Sequence, residues 1–222
     1  MHGRVRVRNG AYVGPNSRSG ILLAAGLLAL AGAWLGPLPA LARHLFAAHM
    51  TVHLAVVAVG APLIALAVAG TRFDPVRYAP AFFAAIPASL AEFVIVWVWH
   101  APALHHAARH DAATFVAEQG AFLLAGLWLW LSAFGGAPRA RAARAATGVI
   151  ALLLTSMHMT LLGALIALSP RPLYSVGDSA LQDQHVGGAI MLLVGGAVYL
   201  AGGLSLMVNL VRTFTPATGP RR

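Results

Sequence analysis

Cysteine is absent from all 222 residues, which removes disulfides and thiolate metal sites and leaves any soft-metal chemistry to His and Met. Lysine is absent as well, so the net charge of +9 rests entirely on 15 arginines. Charged residues of every kind make up only 9% of the chain, against roughly 25% in soluble domains. That scarcity, beside 59% hydrophobic residues, excludes a soluble domain and gives no footing for nucleic acid. The chain reads as a polytopic membrane protein in contact with lipid. No Ser, His and Asp nucleophile arrangement, phosphate-cradling glycine loop or zinc-protease helix is present, so no enzyme is expected.

What the chain does have is six apolar segments near the ~20 residues that cross a bilayer: about 19–36, 43–69, 79–100, 111–134, 145–168 and 184–211. The expected fold is an all-α bundle of six transmembrane helices. Pro37, Pro39, Pro75, Pro80, Pro102, Pro138, Pro170 and Pro172 fall in or beside the gaps, where helices stop. Twelve of the arginines group with the amino-terminal tail, the second and fourth connections and the carboxyl end; only Arg43, Arg109 and Arg171 lie opposite. By the positive-inside rule both termini are cytoplasmic. Trp34, Trp97 and Trp99 then fall near the outer interface, with Tyr78, Trp128 and Trp130 near the inner one. The domain reading is a basic tail over 1–18, the bundle over 19–211 and a second tail over 212–222. The basic start, the apolar run from Ile21 and the Ala40-Leu41-Ala42 pattern also fit a cleavable secretory signal. Gly188, Gly195 and Gly202 recur every seven residues in the last segment, a stripe expected to admit a neighbouring backbone.

Histidine is costly in hydrocarbon, yet "HLFAAHMTVHLAVV" places His49 and His53 four apart on one helical face. At ~1.5 Å per residue they lie roughly 9 and 15 Å below the outer end. The same rise puts Glu92, Glu118 with Gln119, and Met157, His158 and Met159 at about 10 to 17 Å on three other segments. Gln184 and His185 follow Asp183 at the start of the last segment. Five segments thus bring polar groups to one outer-half layer, and ionisable groups inside a membrane are expected to face the bundle interior and mark a functional site. Imidazole and thioether suit copper, Cu(I) above all for Met50, Met157 or Met159, while neutral imidazole also suits zinc and haem iron. The leading expectation is a Cu(I) site built around His49, His53 and His158; the alternative is a haem-b carrier with His53 and His158 as the haem ligands. Glu92 and Glu118 are expected to orient a ligating imidazole or to relay protons; the latter motivates a metal or proton transporter, although the inner half offers no polar path. The connection "WHAPALHHAARHD" adds His100, His105, His106 and His110, read as a solvated loop or as a capture point for metal.

The stretches "AAHMTVHLAVVAVGAPLIALA", "WHAPAL", "FVAEQGAFLLAGLWLW" and "DQHVGGAIMLLVGGAVYL" together resemble the caa3-type cytochrome c oxidase assembly factor family, CtaG, over about residues 44–207. The resemblance implies maturation of haem-copper oxidase through copper supply, with oxidase subunits as partners. It also implies a multi-pass protein of the bacterial cytoplasmic membrane whose metal site faces the periplasm. His49, Met50, His53, His100, Glu118, Asp183 and Gln184 occupy the family's recurrent polar positions. Where family members often carry Glu-His, this chain has Glu118-Gln119. One expected imidazole is therefore missing, for which His185, beside Asp183 and Gln184, is the expected substitute. Whether the bundle forms homo-oligomers is left open by the sequence.

Overall fold

The computed structural model describes residues 17–137, 140–174 and 178–214. Arg4, Arg6, Arg8, Arg139, Arg221 and Arg222, and most of both tails read from the sequence, lie outside the described residues. All regular structure among the described residues is helical. Five helices are long and apolar enough to cross a membrane, or up to six if a bent pair counts as one span.

Helix α1, Ser17–Leu35, ends where Gly36 and Pro37 break it, and a short helix α2, Leu38–Ala42, follows. The second segment is α3, Phe46–Leu54, a π-helical turn over Ala55–Gly60, and α4, Ala61–Val68. Pro62, at the start of α4, accounts for the irregular turn. Proline has no N–H and crowds the preceding carbonyls, and a π turn absorbs the mismatch. The Ala61 N–H bonds to the Val56 carbonyl in the five-residue π pattern; the next bond in that pattern would run from residue 62 to the Val57 carbonyl, and proline cannot make it. The Tyr199 hydroxyl lies 3.3 Å from the Val57 carbonyl and fills the gap from across the bundle.

Helix α5 is only Ala85–Trp99 and turns by 73° into α6, Pro102–His110. The segment read as 79–100 thus begins later than expected, and the histidine-rich connection is a helix rather than a loop. Pro102, in the first turn of α6, needs no N–H partner there. Asp111 then caps α7, Ala112–Phe134, through the Thr114 N–H at 2.7 Å. Helix α8 is Arg141–Ala167. The last segment is α9, Ala180–Ile190, a π turn over Met191–Gly195, and α10, Gly196–Phe214.

Helix α1 lies along α4; α5 packs on α7 and α8; α8 packs on α9 and α10; and α3 packs on α9. Close approach explains the glycine stripe. A Cβ on Gly188 would sit 2.5 Å from the Ala167 backbone nitrogen, and one on Gly202 would sit 2.6 Å from the Trp130 ring. At Gly188 and Gly202 the stripe is therefore helix packing, while Gly195 has room for a Cβ, its nearest neighbour being 3.5 Å away. At one end, buried Asp74 accepts from the N–H groups of Gly70, Val76 and Gly136 at 2.7 to 3.0 Å, tying two connections together. The opposite end carries α2, α6 and the connection around Tyr174, and is termed the outer end after the arginine asymmetry.

Candidate metal centre

The entrance of α3 is held from a distance of 137 residues in sequence. The Asp183 carboxylate accepts from the N–H groups of Phe46 at 2.5 Å and Ala47 at 3.1 Å, a helix cap supplied by α9 in place of the apolar Leu45. Asp183 is thus a positioning group for the helix that bears His49 and His53. Gln184 beside it accepts from the Leu173 N–H at 2.6 Å and donates to the carbonyls of Ile166 and Arg171, which pins the outer connection to α8.

His49 is buried, and its Nε2 lies 3.1 Å from Glu118 Oε1 on α7. The other Glu118 oxygen accepts from the Gln119 amide at 3.1 Å, and the Gln119 carbonyl oxygen accepts from the Trp34 indole of α1 at 3.3 Å. With the carboxylate accepting, His49 carries its proton on Nε2 and keeps the Nδ1 lone pair. That Nδ1 atom is buried and without a partner. The His105 ring, on α6, approaches edge-on with its centroid 4.4 Å from that of His49. Ligand atoms of His49, His105 and Glu118 all lie within 4.8 Å of one another. Among the described residues these three form the one cluster of three or more such side chains.

Phe46 and Tyr174 roof this cluster. Their rings stack at 4.3 Å, and each contacts His105, at 5.2 and 4.8 Å. Arg109 ties the roof down, donating to the Arg43 carbonyl at 2.7 Å and the Tyr174 carbonyl at 3.1 Å. Burial pushes the Tyr174 phenol up to about 12, so it remains a neutral donor, 2.8 Å from the His100 carbonyl oxygen. Beside the roof a cavity of about 130 Å³ reaches His49 past Arg43, Arg109, His110 and Asp111.

One turn further along α3, His53 is fully buried, with its ring 5.2 Å from His100 and 4.1 Å from Phe122. His100, at the end of α5, donates from Nδ1 to the Val96 carbonyl at 2.6 Å. Both nitrogens of His53 and Nε2 of His100 are without partners.

The remaining residues read from the sequence go elsewhere, so the single polar layer resolves into separate clusters. Glu92 is hydrogen-bonded by the Tyr199 hydroxyl and does not orient a histidine. Near it, Ser89 and Thr155 bond to each other at 2.9 Å, and Ser89 also donates to the Ala151 carbonyl. His158 packs edge-on against Phe93 at 5.3 Å and stands outside the three-residue cluster, and His53 faces His100 rather than His158. Met157 is 68% exposed on the outside of the bundle. Met159 is buried near Gly195, and Met50 turns toward Gly187 of α9. His185 bonds to the Ser169 carbonyl at 2.9 Å. The imidazole that meets the Glu118 corner is therefore His105. Pro102 near the head of the connection favoured a loop reading, which hid the burial of His105 at 1% exposure.

These features define an all-helical membrane bundle with a buried imidazole and carboxylate cluster near one end. The family described as cytochrome c oxidase caa3 assembly factor (Caa3_CtaG) matches residues 1–213, and the chain belongs to that family. No curated protein and no solved structure matches it.

Proposed function

We propose that this chain is a non-catalytic assembly factor of the bacterial cytoplasmic membrane that binds copper at His49, His105 and Glu118 and supplies it to a cytochrome c oxidase subunit on the outer side. The family supports the process, and the three convergent ligand atoms within 4.8 Å carry the metal part of the reading. Two imidazoles and one carboxylate are a donor set that copper accepts. Gln119 and Trp34 hold the carboxylate as outer partners hold metal ligands elsewhere. The roof of Phe46, Tyr174 and Arg109 excludes water on one side, while the cavity at His49 leaves an approach for the ion. Transfer to a partner then requires only ligand exchange, with no group on this chain acting on a covalent bond.

Copper content of the purified full-length protein, loaded under reducing conditions, tests this directly. Binding is expected in the native chain, with a lower copper content in His49→Ala, His105→Ala and Glu118→Ala. Failure of the native chain to retain copper would overturn the metal reading. A visible spectrum of the same sample excludes or reveals haem.

A further inference from the structure

His53 and His100 make a second set of ligand atoms that the outer cluster does not use. The carbonyl of Val96 can only accept, so His100 carries its proton on Nδ1 and its lone pair on Nε2. Metal-binding histidines are commonly oriented in this way, one nitrogen donating to a carbonyl and the other free to ligate. The His100 backbone is held as well, by the Tyr174 hydroxyl at 2.8 Å. His53 has no hydrogen bond on either nitrogen although it is wholly buried. Buried polar side chains nearly always have partners, and one without them keeps its lone pair open to a ligand. Two imidazoles thus meet edge-on, at 74° between their planes, with three nitrogens unpartnered and the Phe122 ring alongside.

Their separation fits one ion. With metal–nitrogen bonds of roughly 2 Å, the centroids of two ligating imidazoles stand about 5 to 6 Å apart for bent to linear arrangements. The observed value is 5.2 Å.

We propose that His53 and His100 form an inner metal position, one helical turn beneath His49, His105 and Glu118, that takes a soft monovalent ion, Cu(I). This inference rests on the copper reading of the outer cluster and adds a second station to it. Charge distinguishes the two. The outer position includes a carboxylate, which offsets part of the charge of an ion. No carboxylate hydrogen-bonds to His53 or His100 among the described residues, and the cost of burying an ion rises steeply with its charge. A monovalent ion with a preference for low coordination by neutral nitrogen suits such a place, and a divalent one does not. His49 and His53 share a helical face, about 6 Å apart along the axis, so an ion passes from one position to the other along one side of α3.

Anaerobic titration of the full-length protein in detergent with Cu(I), against a chromogenic chelator, reads the number of ions held. Two equivalents are expected in the native chain. His53→Leu and His100→Leu should each hold one, and Glu118→Ala should retain the inner one. His100→Met, which keeps a soft ligand, should restore the second equivalent. Thermal unfolding of each metal-free variant checks folding: leucine at His53, which has no partner, is expected to leave it intact, and leucine at His100 removes only the bond to the Val96 carbonyl. A native chain that saturates at one equivalent, lost in Glu118→Ala and kept in folded His53→Leu, would overturn the inner position and leave the proposed function standing. A native chain that takes up no copper would overturn both.

Discussion

Two buried polar groups of residues lie within the same bundle and are built in opposite ways. Around Glu92, every hydroxyl has a partner: Tyr199 reaches the Glu92 carboxyl and the Val57 carbonyl, and Ser89 and Thr155 bond each other. Around His49, His53, His100 and His105, at least one nitrogen of each ring has none. Both groups are costly to bury, and the first is compensated from within the protein except at Glu92 Oε2, which has no partner. On the proposed reading, the difference separates structural from metal-binding polarity. The hydroxyl group cross-links helices where a proline has removed a backbone donor, whereas the imidazole row retains lone pairs for a ligand.

The largest effect that separates the two groups is expected on metal. His49→Ala or Glu118→Ala should lower copper affinity by more than about 100-fold, beyond the loss typical of an outer-shell partner, when measured by chelator competition. Tyr199→Phe should leave the affinity unchanged. In stability the order reverses. Tyr199→Phe removes the one hydroxyl shared between Glu92 and the Val57 carbonyl and should cost about 1 to 3 kcal/mol, visible as a lowered melting temperature in detergent, with metal content preserved. If Tyr199→Phe instead removes copper, the two groups are not independent.

A smaller change sharpens the boundary. Asp183→Ala removes the cap on α3 and should cost about 1 kcal/mol. Because α3 carries His49 and His53, copper affinity should fall modestly as well, by about tenfold, the low end for an outer-shell partner; an unchanged affinity would show that packing alone fixes that helix. The smallest effect is expected at Asp111. Its carboxylate is held below the usual range by the Thr114 hydroxyl and N–H. A depressed carboxylate contributes stability above its unfolded pKa, and that contribution is lost as pH falls through the folded value. Acid titration of thermal stability should therefore show native and Asp111→Ala proteins converging only below about pH 4.

Much of the centre was legible in advance. The i, i+4 pair His49 and His53 follows from helical periodicity, and Glu118 from its depth in an otherwise apolar helix. Depth is nevertheless one coordinate, and a layer of equal depth has a whole circumference. Rotation about each helix axis decides whether a side chain meets its neighbours. That is why Met157 faces outward, Met50 faces α9, His158 lies on Phe93 and Glu92 joins Tyr199. His105 was hidden for another reason. It lies on a short helix that α5 sends back over the bundle at 73°, and burial there comes from Phe46 and Tyr174, residues 59 and 69 positions away in sequence.

The sequence by itself determined the class and the scale of this protein. Scarce charge and six long apolar runs leave a helical membrane bundle as the structure that satisfies the backbone in lipid, and its ordered motifs carry the family. Tertiary structure alone decided which polar groups meet. A hydrogen bond or a metal bond needs atoms within a few ångströms, and that proximity is set by helix rotation, by the bend after α5 and by the π turn before Pro62, none of which hydropathy encodes.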